Sequence, residues 1–389
     1  MSKPIYQLSH RLPAEWETHQ ATWIAWPHHT PDWPGKSTPI PWVYGEIVRK
    51  LAPGEIVRIL VNSKDHEARA RRILERVGVP NDRVEFFRFS TNRGWTRDFG
   101  PLFVERKLKL LKPGEKKKQR KVFRKKIEAM DKREITRKTD PWAIAGFQFN
   151  AWAKYPDFKK DKRIAERAAR AIGLRMAKVK HRGEPVVLEG GSIDVNGRGT
   201  LITTEECLLD QNVQVRNPGY TKEDYAEIFR FYLGVKNIIW LGKGIFGDDT
   251  HGHVDDLARF VNHKTIVICE EKNPADANYR PLKENKERLQ NSRLEDGSKP
   301  TVVTLPMPKR LQFGGMRLPA SYANFYIGNA AVIVPTFNDP EDRVALGILA
   351  ELFPHKPVVG IHAVDLVWGL GTLHCLTMQQ PKMKLPVVG

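Results

Sequence analysis

Short apolar runs alternate along this chain with polar segments of helical spacing. Residues 56–61 form an apolar run suited to a buried strand, and residues 64–77 have the spacing of a helix that ends at Gly78. A second strand is predicted over 84–89. Because parallel strands need a crossover connection, these three pieces predict a β-α-β unit.

The same alternation continues to the C-terminus. It predicts helices over 161–172, 222–233 and 340–352, a charged helix within 271–300, and strands over 102–104, 200–204, 237–241, 257–261, 265–269, 330–335 and 358–361. Asn196-Gly197 favours a hairpin turn before the 200–204 strand. Residues 16–42, with five tryptophans among many prolines, instead predict an irregular segment packed over a core or over the mouth of a site.

Five of these segments share one form, a glycine-rich or polar turn joined to an apolar strand. They are centred near Asp98, Asp194, Asp255, Asn329 and Cys375. Supersecondary units that recur at such intervals indicate a radial or stacked architecture. We therefore expect an α/β fold built from repeated units.

The length and composition are those of a globular protein. With 389 residues and 41% apolar residues, the chain can build one large α/β domain or two to three smaller ones. It contains no apolar run of about 18 residues and no apolar stretch at its N-terminus, so a cytoplasmic protein without membrane contact is expected. Its three cysteines contain no C-x-x-C pair, which argues against a disulfide framework or a Cys-rich zinc site.

The formal net charge of +19 comes largely from one stretch. Residues 105–138 hold 16 Lys or Arg against 5 Asp or Glu, which supplies +11 of the total. Lys-rich segments are usually solvated, and no aromatic stacking platform is interleaved with these charges, so nucleic-acid binding is not favoured as the main function. A nucleic-acid-binding role through this segment stays open as the non-enzymatic alternative.

Histidines and carboxylates are concentrated in residues 251–256, beside the apolar run 257–261. Two chemistries use such a stretch: a His and Asp metal cage, or a metal-free site in which one His moves protons. Thr250-His251-Gly252-His253-Val254-Asp255 resembles the start of the metallo-β-lactamase signature, but Asp256 stands where that signature has another His. We favour the metal-free site with no cofactor, in which His253 and Asp255, two residues apart, would share one face of a strand. His251 is left without a role.

Cys375 is the candidate nucleophile. It follows a Gly-x-Gly turn at the start of a predicted strand, where backbone N–H groups and little side-chain bulk suit a thiolate. His374 would point to the opposite face of that strand, so His253 is the better base. Carboxylates from Asp98, Glu189 and Asp255 gathered at one pocket would repel each other unless a cation joined them, and a planar guanidinium fits that need.

Six motifs together resemble one enzyme family. They are Trp-x-Arg-Asp-x-Gly-Pro from residue 95, Leu-Glu-Gly-Gly-Ser-Ile from 188, Thr-Thr-Glu-Glu-Cys-Leu-Leu from 203, Gly-His-x-Asp from 252, Asn-Phe-Tyr-Ile from 324 and His-Cys-x-Thr-x-Gln-Gln-Pro from 374. In this order they are similar to the agmatine deiminase and bacterial-type peptidylarginine deiminase family. The resemblance implies a five-bladed pseudosymmetric α/β propeller of the pentein type. It also implies a single catalytic domain over 1–389, interrupted by a basic excursion at about 105–140.

The resemblance also implies a role for each candidate residue. Cys375 would be the nucleophile, His253 the general acid and base, and Glu189 the group that orients His253. Asp98 and Asp255 would clamp the guanidinium. Trp95 and Gly371 would contact the substrate.

The expected reaction is deimination of agmatine to N-carbamoylputrescine and ammonia through a covalent Cys thiouronium intermediate. Leu370 stands where the family usually has glycine, Thr372 and Asp194 also depart from its pattern, and Asn92-Arg93-Gly94 replaces a more acidic approach to the Trp-x-Arg-Asp motif. These departures bear on how the distal amine of agmatine is recognised. Peptidyl arginine, free arginine and other small guanidines therefore stay open as substrates. Whether the chain forms a homo-oligomer also stays open.

Overall fold

Five sheets of the same connectivity organise residues 6–110 and 141–383, which are the residues that the computed structural model describes. In each sheet a first strand lies antiparallel to a second, and a helix then leads from the second strand to a third that lies parallel to it. The predicted basic excursion at about 105–140 falls almost entirely outside the described residues.

The strands and helices of the five units have the following bounds. Each unit is given as first strand, second strand, helix and third strand. The first unit is Leu102–Leu110, Trp142–Gly146, Ile164–Ala171 and Arg175–Lys178, and the second is Asp194–Val195, Thr200–Thr204, Lys222–Tyr232 and Asn237–Leu241. The third is Ala258–Phe260, Thr265–Glu270, Tyr279–Asn291 and Thr301–Pro306, the fourth is Tyr326–Ile327, Val332–Thr336, Glu341–Leu352 and Val358–His362, and the fifth is Thr377–Pro381, His19–Ala25, Ile40–Leu51 and Ile56–Leu60.

Other elements extend or connect these units. Strands Tyr6–Arg11 and Val84–Phe87 each add an edge to one sheet, and helix Lys64–Arg76 joins Ile56–Leu60 to Val84–Phe87. Two short ribbons pair Lys180–His181 with Glu184–Pro185 and Gln312–Phe313 with Met316–Arg317, and the short helices are Thr96–Phe99, Glu205–Leu209 and Leu373–Leu376. In the described part of the chain, no helix combines the length and apolar content needed to cross a bilayer.

The predicted β-α-β unit and most of the later elements are confirmed. The predicted helix over 64–77 is Lys64–Arg76, and the predicted strand over 237–241 is Asn237–Leu241. The helix Lys222–Tyr232 begins with a capping box in which Thr221 and Asp224 bond each other's backbone N–H. Element ends differ from the expectations by a few residues.

The prediction of an irregular segment over residues 16–42 was wrong in part. It contains the strand His19–Ala25, which lies between two neighbours in its sheet. Trp23, Trp26 and Trp33 are fully buried, whereas Trp42 is exposed. Because the strand is buried on both faces, it lacks the alternation of polar and apolar residues that would have marked it.

Two other expectations about strands were also wrong. Cys375 lies in the short helix Leu373–Leu376, and His253 and Asp255 lie in and next to a 3₁₀ turn, Val254–Asp256, rather than on one strand face. A tertiary contact accounts for the first, because the Asn324 side-chain oxygen accepts hydrogen bonds from Thr372 Oγ1 at 2.7 Å and from His374 N at 3.0 Å. Local spacing cannot reveal a partner about 50 residues away.

The turns that precede the first strands meet each other. The helix Thr96–Phe99 packs against Leu373–Leu376 and against the 3₁₀ turn Gly190–Ser192, which in turn packs against Val254–Asp256. These turns carry the candidate residues. The fold therefore brings residues from distant parts of the sequence to one place.

One sheet joins the two ends of the chain. Strand Thr377–Pro381 pairs antiparallel with His19–Ala25. Gln380 is fully buried there, and its Oε1 accepts hydrogen bonds from Trp23 Nε1 at 2.9 Å and from Arg58 Nη1 at 2.6 Å. This side chain satisfies donors on two neighbouring strands.

We expect Gln380→Ala to lower the free energy of unfolding by about 1–3 kcal/mol, because it leaves the buried Trp23 N–H without its acceptor. Urea unfolding would measure the change. Gln312→Ala, at an exposed position, is the matched control and should stay within about 0.5 kcal/mol. Equal stability of both variants would contradict this account of how the ends are joined.

Candidate active site

The five candidate catalytic side chains are brought together in the interior. Asp98, Glu189, His253, Asp255 and Cys375 are all buried. His253 Nδ1 lies 3.8 Å from Asp98 Oδ1 and 4.0 Å from Asp255 Oδ1, and His253 Nε2 lies 3.7 Å from Glu189 Oε2. The Cys375 sulfur is 3.8 Å from Asp255 Oδ2. The five side chains that the sequence singled out therefore lie together.

Asp98 is held by two donors. Its Oδ1 accepts from the Gly191 backbone N at 3.0 Å, and its Oδ2 accepts from Trp152 Nε1 at 2.9 Å. A side chain at Gly191 would collide with the site, because its Cβ would lie 2.6 Å from His253 Nδ1. Burial and the nearby carboxylates of Asp255 and Glu189 nevertheless raise the pKa of Asp98 to about 6. Asp98 is thus an anion that lacks a full countercharge.

Glu189 is the opposite case. Burial disfavours its charge, but the Arg216 guanidinium, with Nε 3.2 Å from Glu189 Oε1, and the His253 ring together lower the pKa of Glu189 to about 2. Arg216 also donates to the Thr250 carbonyl oxygen, which ties Glu189 to the loop that leads to His253. Glu189 is therefore a permanent anion beside the histidine.

His253 is held by its backbone rather than by its ring. Its N–H donates to Asp248 Oδ2 at 3.0 Å, whereas neither ring nitrogen has a hydrogen-bond partner within residues 6–110 and 141–383. Burial alone would lower its pKa, yet the charge of Asp98 and the neighbouring Cys207 and Glu189 raise the pKa of His253 well above its usual value. The protonated ring can donate from both nitrogens, and no described group accepts from it.

Cys375 receives a hydrogen bond that the sequence did not predict. Asn324 Nδ2 donates to the Cys375 sulfur at 3.1 Å and to Asp256 Oδ1 at 2.9 Å. Asn324 belongs to one of the six motifs, but no sequence pattern indicated that it lies beside the sulfur. Burial and the surrounding carboxylates, led by Asp255, raise the pKa of the Cys375 thiol well above its usual value.

A cavity of about 270 Å³ leads to this cluster. Asp98 and Cys375 line it, and Trp95 and Trp152 contribute aromatic surface. Gly371 also lines it, and a Cβ there would lie 2.8 Å from the Trp95 ring and 3.2 Å from Cys375 Cβ. Glycine at 371 therefore keeps the space beside the sulfur open.

Charged groups of both signs also line the cavity. Arg93 Nη1 donates to Asp32 Oδ1 at 2.5 Å, and Arg93 lies over the Tyr155 ring at 4.2 Å. Asp249 accepts from the Tyr155 hydroxyl at 2.7 Å and from Lys154 Nζ. Of these residues, only Arg93 was singled out from the sequence.

Strained backbone presents two of the lining side chains. Ala151, Trp152 and Ala153 have φ values of 52°, 58° and 52°, and Leu370 has a φ of 66°. Non-glycine residues in this region cost about 1–3 kcal/mol each. The sequence named Leu370 as a departure from glycine, and the structure shows that its backbone adopts the conformation that glycine favours.

One residue, His374, has a different place from the one that the sequence suggested. His374, which we set aside as facing away, contacts Asp255 Oδ2 through Nδ1 at 2.6 Å. The reason is that these residues are helical. Neighbouring side chains in a helix do not point to opposite faces, so His374 and Cys375 both reach Asp255. Asp194 lies outside the cluster and accepts from Phe260 N at 2.6 Å.

The metal alternative receives no support from His251. Its Nε2 lies 2.8 Å from Asp210 Oδ2 in a partly exposed pair. Among the described residues, two groups of potential ligand atoms lie close together, namely Glu189, Cys207 and His253, and Asp255, Asp256 and Cys375. Both are made of buried groups within the cluster already described, and neither includes His251.

The sequence of the chain matches known proteins over most of its length. A family model described as Porphyromonas-type peptidyl-arginine deiminase matches residues 11–381. A Latilactobacillus sakei protein named "Putative agmatine deiminase" is 32% identical in an alignment of 395 positions that covers 96% of each chain.

Solved structures agree with this match. The agmatine deiminase of Enterococcus faecalis has a TM-score of 0.80 and 27% identity, with 96% of each chain covered. An agmatine deiminase of C. jejuni solved with substrate bound has a TM-score of 0.77 and 26% identity, with 98% of each chain covered.

The family model matches nearly the whole chain and includes every candidate residue. The chain therefore belongs to the Porphyromonas-type peptidyl-arginine deiminase family, and it is a hydrolase that acts on C–N bonds.

Proposed function

We propose that this protein hydrolyses agmatine to N-carbamoylputrescine and ammonia, with Cys375 as the nucleophile. The observation that carries the proposal is the contact between the Cys375 sulfur and Asp255, 3.8 Å apart, at a cavity that Asp98 also lines. A thiol surrounded by carboxylates is a poor nucleophile until a cation enters. A guanidinium is a cation whose planar N–H groups match two carboxylates.

Binding and activation are coupled in this proposal. The guanidinium lies between Asp98 and Asp255, with its central carbon towards the Cys375 sulfur and its edge near His253. Its positive charge offsets the carboxylates that raise the pKa of the thiol, so the thiol loses its proton once substrate is bound. Positioning and charge pairing supply most of the rate enhancement.

The chemistry then proceeds in two halves. The thiolate adds to the guanidinium carbon, and the protonated His253 gives its proton to the departing nitrogen, which leaves as ammonia while a Cys375 thiouronium remains. Neutral His253 next takes a proton from water, and the hydroxide adds to the same carbon. Collapse of this adduct expels the Cys375 sulfur, which takes up the hydroxyl proton as a thiol, and leaves the neutral ureido product. Glu189 stabilises the protonated form of His253 in both halves.

The charges around the outer cavity support a substrate with a distal amine. Of the charged side chains that line the outer cavity, Asp32 and Asp249 are negative and Arg93 is positive. This surplus of one negative charge favours an ammonium group. Peptidyl or free arginine is the alternative, because its carbonyl or carboxylate group would find a donor in Arg93.

We also propose a spatial arrangement and a domain assignment. The five ββαβ units with one connectivity, whose turns meet at the site, support a five-bladed propeller around that site. The pairing of Thr377–Pro381 with His19–Ala25 supports one closed catalytic domain. A nucleic-acid-binding role through residues 105–138 has no support from the described residues.

Cys375→Ala should reduce ammonia release from agmatine to background, because no other group in the proposal forms the covalent bond. A coupled assay for ammonia would measure the loss. Cys269→Ala, which removes another buried thiol, should retain most of the activity. A Cys375→Ala protein that still released ammonia would rule out the proposed mechanism.

The wild-type chain should prefer agmatine to free arginine by at least about tenfold in kcat/KM, which corresponds to about 1.4 kcal/mol. Asp249→Asn should narrow that preference, since the outer cavity then carries no net charge. The exposed Asp82→Asn is the matched control and should leave the ratio unchanged. A preference for arginine in the wild-type chain would favour the alternative substrate instead.

In the absence of substrate, the rate at which iodoacetamide alkylates Cys375 should be low at pH 7. The rate should keep rising with pH beyond pH 9. The sign follows from the raised pKa of the thiol: below that pKa the sulfur is protonated and unreactive. Mass spectrometry of the modified peptide would follow the rate. A plateau near neutral pH would show that the free enzyme already holds a thiolate.

A further inference from the structure

The contacts of His374 have no role in the chemistry described above. This ring is fully buried, its Nδ1 lies 2.6 Å from Asp255 Oδ2, and its Nε2 lies 2.8 Å from Glu15 Oε2. Carboxylate oxygens only accept hydrogen bonds, so both ring nitrogens must donate to satisfy both contacts. A ring with two N–H groups is a cation, which places a positive charge directly behind Asp255.

Glu15 is itself rigidly held on the far side. Its Oε1 accepts from Arg259 Nη2 and from the Ile327 backbone N, both at 2.9 Å, and its Oε2 accepts from Arg97 Nη2 at 3.1 Å as well as from His374. Charges therefore alternate along a buried line: arginines, Glu15, His374 and Asp255. Each member offsets the desolvation of the next, whereas an isolated charge there would be costly.

The two oxygens of Asp255 have different surroundings. Oδ2 is occupied by His374, while Oδ1 has no hydrogen-bond partner within the described residues. Burial opposes the charge of Asp255, but the hydrogen bond and charge of His374 lower the pKa of that carboxyl. The free oxygen of a fixed carboxylate is thereby left for a substrate.

Arg97 connects this line to the other half of the clamp. It immediately precedes Asp98, and besides its bond to Glu15 its Nε donates to the His374 carbonyl oxygen at 3.3 Å. The backbone that carries Asp98 and the backbone that carries Cys375 are therefore joined through one buried guanidinium. The separation of the two clamp carboxylates depends on the same network.

We propose that His374 is a positioning residue: held between Glu15 and Asp255, it keeps Asp255 ionised and turns one carboxylate oxygen towards the guanidinium of the substrate. This inference rests on the proposed function, since it assigns Asp255 to guanidinium binding. Neither His374 nor Asp255 lines the cavity, but Asp255 Oδ2 lies 3.8 Å from the sulfur of Cys375, which does. The effect of His374 on the reaction passes through Asp255.

The test compares guanidine binding with and without His374 in a protein that cannot turn over. In the Cys375→Ala background, calorimetry gives the Kd of agmatine, and adding His374→Gln should raise that Kd about 10–100-fold, the range found when a group that orients a ligand-binding side chain is removed. His251→Gln is the matched control, because it removes another histidine that pairs with an aspartate at 2.8 Å, and it should leave the Kd unchanged.

The pH dependence separates positioning from a structural role. In the clamp with His374, Asp98, whose pKa is about 6, sets the loss of agmatine binding on acidification. Without the cationic partner the pKa of Asp255 rises as well, so two carboxyls take up protons, and the loss should begin at higher pH and become steeper. The charged or titratable groups that face His374 or Asp255 are Glu15, Arg97, Arg259, Asp194, His253, Asp98, Asp256 and Cys375. Weaker binding with an unshifted pH profile would overturn the proposal, as would an unchanged Kd.

A second variant keeps the test decisive if His374→Gln does not fold. Glu15→Gln removes the charge that holds His374 from behind and leaves the shape intact, so it should shift both the Kd and the pH profile in the same direction. An unchanged Kd in folded Glu15→Gln would overturn the proposal. Turnover is measured separately in the wild-type chain, so loss of agmatine hydrolysis there, with binding intact, would contradict the proposed function alone.

Discussion

Buried negative charge without a full internal partner is the constraint on which the site depends. The chain places Asp98 and Asp255 within 4.0 Å of one His253 nitrogen, and the Asp255 charge raises the pKa of Asp98. Glu189 is neutralised by Arg216, Glu15 by two arginines, and Asp255 is paired with His374. Asp98 has no full countercharge, and the guanidinium of the proposed substrate would supply it.

The same constraint bears on the proposed nucleophile. The neighbouring carboxylates raise the pKa of the Cys375 thiol, so in the proposed mechanism the charge of the substrate is needed to release the thiolate. Specificity and activation then come from one electrostatic arrangement. A neutral molecule of similar shape would neither bind tightly nor generate the nucleophile.

The fold supplies the rigidity that such an arrangement needs. Turns from separate ββαβ units meet at the cluster, and each is fixed by contacts to the others rather than by its own sequence. Strained backbone at Trp152 and Leu370 adds a cost that the buried sheets offset. Glycine at 191 and 371 permits approaches that any side chain would block.

The sequence could predict those site residues that belong to local motifs. Cys375, His253 and Asp98 stand at turns before strands, where α/β proteins place reactive groups, so their meeting could be expected. Asn324 and His374 could not be assigned in the same way, because their roles depend on distances to residues far away in the chain. The strand His19–Ala25 was missed for a related reason: burial on both faces removes the alternation from which a strand is read.

The central claim is that Cys375 forms a covalent bond with the guanidine carbon of the substrate. Acid quenching of the wild-type enzyme during steady turnover of agmatine, followed by peptide mass spectrometry, tests it most directly. The account predicts a Cys375 peptide heavier by the mass of agmatine less ammonia. Steady ammonia release with only unmodified Cys375 peptide, under quenching that preserves a thiouronium standard, would contradict it.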